Sequence, residues 1–401
     1  MMIKNVCVMG LGYIGLPTAA LLANKGYEVR GVDVVQSTVD TINQGKIHIV
    51  EPELDVFVKG AVNSGNLRAS LEPDLADVFI IAVPTPFCGG YVPDLNYVVS
   101  ASKSIVPFVR DENIVILEST SPVGTTEKIG EILKDSGVDI SKIYIAHCPE
   151  RVLPGKILKE LVQNDRIVGG LNKEAAKKTA EFYKTFVAGE ILQTDAKTAE
   201  MAKLTENSFR DVNIAFANEL SVLCDKFGIN VWELISLANR HPRVNILNPG
   251  CGVGGHCIAV DPWFIVHAGG DDAKLIKTAR EVNNHKTQWA IEKIKNAALK
   301  FELKSGKKPK IACMGLAFKP DIDDLRESPA VFITRELKNQ GFEILAVEPN
   351  IKSHKDFEII NHEKAVDIAD IVVFLVAHKE FKELKIEKEV LDFCGVRNTN
   401  I

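Results

Sequence analysis

The stretch Gly250-Cys-Gly-Val-Gly-Gly-His-Cys257 brings a thiol up behind a run of glycines. Residues without side chains let a ligand come close to the backbone. A cysteine at the start of a helix has a lowered pKa and a larger share of the nucleophilic thiolate. Two readings of the next turn stay open: Cys257 opens a short helix, or Asp261 caps a helix whose first residue is Pro262. The plain alternative for Cys257 is a small core residue. His256, Cys257 and Asp261 suggest zinc, but no second ligand cluster stands at metal spacing, so no metal is expected.

Lys203, Asn207 and Arg210 follow one another at helical spacing (i, i+4, i+7), a single polar stripe suited to an anionic ligand and otherwise a solvated helix face. Glu150 closes a strand-like run beside Arg151 in His147-Cys-Pro-Glu-Arg. A carboxylate at a strand's carboxyl end is a general-base candidate, with exposed ion pairing as its plain counterpart.

Gly10-Leu-Gly12-Tyr-Ile-Gly15 stands between a strand-like run and a helical pattern. In such a setting the first glycine allows a tight turn, the second lets backbone approach a pyrophosphate, and the third lets helix pack on strand. The helix amino terminus then offers N–H groups and a positive dipole end to the phosphates. Asp33 lies eighteen residues past the third glycine, where the dinucleotide fingerprint puts the acid that accepts the ribose hydroxyls. A carboxylate there repels a 2′-phosphate, so the cofactor expected is NAD. Thr85, in Val83-Pro-Thr-Pro86, and Thr120 and Thr126, in Glu118-Ser-Thr-Ser-Pro-Val-Gly-Thr-Thr126, sit in loops at strand carboxyl ends and are expected to reach cofactor or substrate.

These residues need a scaffold of strands and helices. Strand-like runs at Val6–Gly10, Tyr27–Asp33, Asp77–Val83, Asn113–Glu118 and Lys142–Ala146 alternate with helical patterns, which predicts a parallel sheet covered on both faces. From Ala199 to Phe227 the pattern is helical without glycine or proline, and further helices are predicted at Val231–Asn239 and Ala273–Leu303. Their long apolar faces are a candidate dimer interface. Lys304–Pro309 reads as a linker. Beyond it Cys313-Met-Gly-Leu-Ala-Phe318 repeats Val8-Met-Gly-Leu-Gly-Tyr13, and Leu345–Glu348 echoes Gly31–Asp33. The fold expected is α/β: two Rossmann-like doubly wound domains, 1–197 and 304–401, joined by an all-helical region, 198–303.

The chain has 401 residues, 46% hydrophobic and 25% charged, with a formal charge of −5 and no basic cluster on a candidate helix. Nucleic acid and acidic membrane surfaces are therefore not expected partners. The longest apolar runs are strand-length, far below a membrane span. Eight scattered cysteines without a secretion signal suit reduced thiols and a cytoplasmic location.

Taken in order, G-L-G-Y-I-G-L-P, V-P-T-P, E-S-T-S-P-V-G-T-T, C-P-E-R, K-L-T-E-N-S-F-R, G-V-G-G-H-C and G-L-A-F-K resemble the UDP-glucose/GDP-mannose dehydrogenase family over essentially the whole chain. Ile47–Pro52, Thr205–Glu219 and Asn239–Leu247 are closest to the branch acting on UDP-N-acetyl-D-mannosamine. The resemblance implies NAD-dependent oxidation of a UDP-sugar C6 alcohol to a carboxylate, with a UDP-binding carboxyl-terminal domain and sites completed across a homodimer. It implies Cys257 as nucleophile, Lys203 as catalytic lysine, Asn207 and Asp261 as organisers, and Glu150 in hydrolysis. On the cofactor side it adds Tyr13, Ile14 and Arg326, the last toward the partner subunit's cofactor. On the substrate side it adds Arg151, Val152, Arg210, Gly254, Phe318 and Lys319, with His241 and Arg243 donated across the dimer. One position departs: many members have Lys-Asp where this chain has Val260-Asp261, which weakens a UDP-glucose assignment. A UDP-N-acetylglucosamine or UDP-glucose substrate, a one-hydride β-hydroxyacid dehydrogenase and a non-catalytic nucleotide-sugar sensor are the rival readings.

Overall fold

A computed structural model describes residues 3–255 and 257–397. They form two compact units, 1–205 and 206–401. His256 lies outside the described residues.

In the first unit, β1 (Asn5–Met9), α1 (Gly15–Asn24), β2 (Glu28–Val32), α2 (Gln36–Asn43), α3 (Leu54–Asn63), β3 (Leu67–Ser70) and β4 (Val78–Ile81) make the first half. A short hairpin, β5 (Phe87–Cys88) with β6 (Val92–Pro93), precedes α4 (Asn96–Ile105), β7 (Ile114–Leu117), α5 (Thr125–Asp135) and β8 (Tyr144–His147). Then come α6 (Ile157–Gln163), β9 (Arg166–Gly170), α7 (Lys173–Tyr183) and β10 (Ile191–Asp195). The eight-stranded sheet runs β10-β9-β8-β7-β4-β1-β2-β3. Successive strand residues point to opposite faces, so Val6, Val8, Val78 and Ile80 fill one core while Cys7, Met9, Phe79 and Ile81 fill the other. That is why these strands read as unbroken apolar runs.

The strands read from the sequence pair in parallel, β1 with β2 and β4, β4 with β7, and β7 with β8, while β9, which the sequence reading lacked, joins β8 antiparallel. One expectation is corrected: Asp77–Val83 is the fourth strand, since β3 precedes it. At four residues, with Arg68 exposed between buried Leu67 and Ala69, β3 leaves a faint signal.

The helix α8 (Ala196–Phe227) runs from the first unit into the second. There follow α9 (Val231–Ala238), α10 (Asp261–Gly269) and α11 (Lys274–Ser305). The remainder is β11 (Lys310–Met314), α12 (Pro329–Asn339), β12 (Glu343–Val347), α13 (His362–Ile368), β13 (Ile371–Phe374) and β14 (Glu389–Asp392), in a parallel sheet of order β12-β11-β13-β14. Ala290, Ile291, Ile294, Ala297 and Ala298 of α11 are buried with Ile311, Cys313 and Ile333, which joins the long helix to this sheet in one core. The linker reading of Lys304–Pro309 is shortened: Lys304 and Ser305 finish α11, and Gly306, at φ 72°, gives its N–H to the Glu302 carbonyl at 2.8 Å. A glycine in the left-handed region is a common way to end a helix.

Candidate active site

The amino-terminal cradle is built by steric necessity. A Cβ on Gly15, where α1 begins, would lie 1.8 Å from the Gly10 carbonyl oxygen, and one on Gly10 would lie 2.7 Å from that of Ala82. Beside Gly12 there is nothing within 4 Å, so backbone is open to an incoming ligand. No side chain caps the start of α1 at Ile14. Asp33 follows β2 and is half-buried; its Oδ2 accepts the Leu11 N–H at 3.1 Å and its Oδ1 that of Val35 at 3.0 Å. Open backbone, an uncapped helix start and a fixed, accessible carboxylate fit the pyrophosphate and ribose of NAD. Tyr13 is exposed and Ile14 half-buried on the same turn.

The threonines differ from expectation in one respect: two hydroxyl protons are already committed. Thr85 donates to the Thr120 carbonyl at 2.6 Å, tying the two loops together. Thr126, fully buried, donates to Glu200 Oε1 at 2.6 Å. Glu200, near the start of α8, also accepts the N–H groups of Gly124 (2.6 Å) and Thr126 (2.8 Å) at the amino end of α5. Burial pushes its carboxyl up while these hydrogen bonds hold it down, the first effect being the larger. Glu200 was not singled out from the sequence, since its partners lie more than seventy residues away. Thr120 is half-buried.

Glu150, just past β8, is buried and paired, which sets it apart from an exposed ion pair. Its Oε1 accepts the Arg151 N–H at 2.7 Å and its Oε2 lies 2.8 Å from Arg166 Nη1. Arg166 opens β9 and is 3% exposed. On its other side Glu118, just past β7, stands 4.0 Å from the same nitrogen and accepts the Tyr183 hydroxyl at 2.6 Å. Arg151 reaches the Asp165 carbonyl at 3.3 Å, and Val152 packs on the core. His147 is fully buried, and desolvation drives its pKa down to about 3, so the ring is neutral.

In the second unit neither sequence reading of the Cys257 turn survives unchanged. Residues 257–260 form a turn, the Cys257 carbonyl accepting N–H groups from Val260 (3.1 Å) and Asp261 (2.8 Å), and α10 starts at Asp261 itself. Cys257 is exposed, not a core residue. Asp261 is buried and takes the Asn207 side-chain amide at 2.5 Å, so its carboxylate fixes α8 against α10. Upstream, Gly250 gives its N–H to Asn218 Oδ1 at 2.9 Å, and Thr287 donates to the Cys251 carbonyl at 2.9 Å. A Cβ on Gly254 would meet the Glu327 carbonyl at 2.6 Å and Phe318 Cβ at 2.8 Å, while Gly255 N–H bonds the Arg326 carbonyl at 3.0 Å. The glycines therefore press the Cys257 loop onto the loop after β11. Lys319 is exposed, and Arg326 forms a two-pronged pair with Asp324.

On α8, Lys203 is half-buried without a hydrogen bond or ion pair among the described residues, Asn207 is buried, and Arg210 is exposed. The stripe is thus not a wholly solvated face. His241 and Arg243 lie exposed in the turn after α9, where His241 Nδ1 accepts the Arg243 N–H at 3.3 Å. The structure joins Asn207 to Asp261 and the Cys257 loop to Phe318 and Arg326. Separately, it joins Thr85 to Thr120, and Glu150 to Arg166 and Glu118.

Asp321, His378 and Glu380 gather at one point of the second unit. His378 Nδ1 accepts the Asp321 N–H at 2.9 Å and Nε2 meets Glu348 Oε2 at 3.0 Å, so both ring nitrogens are occupied by hydrogen bonds.

Comparison with known proteins gives the same order of parts. Residues 4–187 match the NAD-binding domain of the UDP-glucose/GDP-mannose dehydrogenase family, 197–285 its central domain and 312–394 its UDP-binding domain. A UDP-N-acetyl-D-mannosamine dehydrogenase of Campylobacter jejuni is 57% identical, covering 98% of this chain and 99% of its own. An NDP-N-acetyl-D-galactosaminuronic acid dehydrogenase of Ralstonia nicotianae is 54% identical over 96% and 93%. The solved UDP-D-ManNAc dehydrogenase of Pyrococcus horikoshii superposes with a TM-score of 0.88 at 39% identity, covering 98% and 96%. The chain belongs to the UDP-glucose/GDP-mannose dehydrogenase family.

Proposed function

We propose that this protein oxidises the C6 alcohol of UDP-N-acetyl-D-mannosamine to the carboxylate, using two NAD and one water. The observation that carries the reading is an exposed thiol whose turn leads into α10, where buried Asp261 is held by Asn207. The relatives named for this activity support the choice of sugar. NAD, when bound, accepts hydride from C6 in each oxidation.

Lys203 assists removal of the alcohol proton in the first oxidation. Cys257 then forms a C–S bond to the resulting aldehyde carbon, giving a thiohemiacetal that a second oxidation converts to a thioester. Lys203 and Asn207 donate to the oxyanion that develops at each addition. Glu150 takes a proton from the attacking water; the C–S bond breaks, and the sulfur leaves as thiolate. The full reaction releases two NADH and three protons per carboxylate. Gly10, Gly12, Tyr13, Ile14, Gly15, Asp33 and Thr120 serve the cofactor, while Thr85 and Thr126 hold its loops in place through Thr120 and Glu200. Arg151, Val152, Arg210, Gly254, Phe318 and Lys319 serve the sugar nucleotide.

The working division is 1–197 for NAD, 198–303 for dimerisation and 304–401 for UDP. Phe209, Phe216 and Leu223 recur every seventh residue on α8, and with Phe227 they form a stripe 40–68% exposed. A second copy would cover it, bringing His241, Arg243 and Arg326 to its partner's site. Light scattering that finds only monomer at working concentration removes this part. No helix among the described residues is long and apolar enough to cross a membrane.

The Ralstonia relative favours a second reading, in which a galacto-configured N-acetylhexosamine is the substrate. NADH release across UDP-N-acetylmannosamine, UDP-N-acetylgalactosamine, UDP-N-acetylglucosamine and UDP-glucose separates them. Two NADH per sugar are expected with the first. One NADH per turnover would move the protein to single-step chemistry, and Cys257→Ala still releasing two would end the covalent route.

A further inference from the structure

We propose that Glu118 is a positioning residue for Glu150, sharing Arg166 with it inside the first unit and setting the charge against which Glu150 works. The inference rests on the reading of Glu150 as the base in thioester hydrolysis.

Two carboxylates and one guanidinium meet where β7, β8 and β9 end or begin. Arg166 Nη1 lies 2.8 Å from Glu150 and 4.0 Å from Glu118, and all three side chains are at most 7% exposed. The charge is unbalanced: with both acids ionised, one cation serves two anions in a site that water does not screen. Glu118 Oε1 is held by the Tyr183 hydroxyl at 2.6 Å, whereas its buried Oε2 makes no well-formed hydrogen bond, although the Thr18 hydroxyl stands near the carboxyl and favours its charged form. A carboxyl with one oxygen held and the other dry is suited to carry a proton on the dry side. The Arg166 guanidinium also sits over the Tyr183 ring, 5.1 Å from its centre, and Nη2 reaches the Leu161 carbonyl at 3.3 Å, so it is fixed in place.

The other groups facing Glu118 are quiet near neutral pH. Burial pushes the Cys148 thiol up to about 12 and the Tyr183 phenol well above its usual range. Thr18 of α1, which does not titrate, faces the same carboxyl. Burial raises Glu118 to about 7; Arg166 opposes the rise and the Glu150 charge adds to it. Below that pH Glu118 is neutral and Arg166 serves Glu150 alone, holding its carboxylate back from water. Above it Arg166 is shared, and Glu150 is freer to take the proton of water. Hydrolysis should therefore quicken as pH rises through 7.

The test is single-turnover acid formation from UDP-N-acetylmannosamine and NAD between pH 6 and 9. Wild type should show a rise centred near 7. Glu118→Gln should be flat, close to wild type at pH 6 and about tenfold slower at pH 8.5, with NAD affinity unchanged, and Glu118→Asp should restore the rise. A Glu118→Gln profile that matches wild type, or that is lowered evenly with its rise intact, overturns the proposal. Tyr183→Phe guards against misfolding of the first variant. Loss of its hydrogen bond to the charged form should move the midpoint upward, and an unmoved midpoint also overturns the proposal. If Glu150→Gln makes acid at the wild-type rate, the hydrolysis reading itself has failed; if Glu150→Gln is inactive while Glu118→Gln behaves as wild type, only the present inference has.

Discussion

The two units carry the same strand–turn–strand device, one open and the other plugged. Gly10 and Gly315 both sit at positive φ, 90° and 94°, and both give their N–H to the end of the neighbouring strand, at Val32 (2.7 Å) and Val347 (2.8 Å). In each, an acid follows that strand and reaches back to the turn. Asp33 accepts only Leu11 N–H from its turn, keeping exposed carboxylate surface for a ligand. Glu348 is 2% exposed and one oxygen takes both Leu316 N–H (2.7 Å) and Ala317 N–H (2.8 Å), while His378 closes it off. The longer side chain fills the space that the shorter one leaves. Where Gly12 and Gly15 open the first turn, Ala317 and Pro320 stand in the second, and α12 waits until Pro329. A dinucleotide needs the open form; the closed form instead frees Phe318 and its loop to meet the glycines before Cys257.

The sharpest break of this contrast is Gly15→Ala. Its methyl would overlap the Gly10 carbonyl, so calorimetric NAD affinity should fall by about two orders of magnitude, with about 1–3 kcal/mol of stability lost from overpacking. Unchanged NAD binding would show that the turn can open without harm.

Next comes a pair of variants expected to do different things. Asp33→Ala should weaken NAD by about 10–100-fold, the value of roughly 1.5–3 kcal/mol for hydrogen bonds to a charged group. Its stability should fall less than that of Glu348→Ala, since the Leu11 and Val35 amides it leaves lie where water can reach them more readily. Glu348→Ala should leave NAD affinity alone but cost about 1–3 kcal/mol per orphaned amide in denaturant melts. If Glu348→Ala weakened NAD as much as Asp33→Ala, the plug would not be a plug.

The smallest effects are in pH. Between the ordinary carboxyl value of 4.5 and about 7, folded Glu118 keeps a proton that the unfolded chain has released, so this group makes stability fall as pH rises across that window. Lys286 in the second unit is the reverse: burial lowers it from 10.5 to about 7, with its ammonium group 2.6 Å from Ser221 Oγ and 3.7 Å from the Trp289 ring centre. From about 7 to 10.5 the unfolded chain holds the proton, and stability rises with pH. Glu118→Gln should flatten the first trend and Lys286→Met the second in melts over pH 5–9. Either variant keeping the wild-type slope would remove that group from the account.

Legibility followed range along the chain. Gly10–Gly15 with Asp33 could be read because one strand–helix–strand unit holds all its parts, and steric rules tie each glycine to its place. The degenerate repeat at Cys313–Phe318 was visible for the same reason. Strands β9 and β10 were missed: β10 is a partly exposed edge, and β9 turns antiparallel through a partner chosen by packing. Glu118 and Arg166 carried no local signal, since an ionised residue near a strand end looks alike whether it meets water or a buried counter-ion; Glu200 and Asn218 carried none because a polar residue on a long helix looks alike whether it faces water or a distant backbone N–H.

By itself the amino-acid order determined the two turn motifs and the long helices, because backbone sterics and helical periodicity act over a few residues. Tertiary structure alone decided that Glu348 closes its turn while Asp33 leaves its own open. It also decided that Arg166 stands between two acids and that Asp261 answers to Asn207. Those outcomes depend on which distant groups share a dry space, and the strength of a charge is set by what surrounds it.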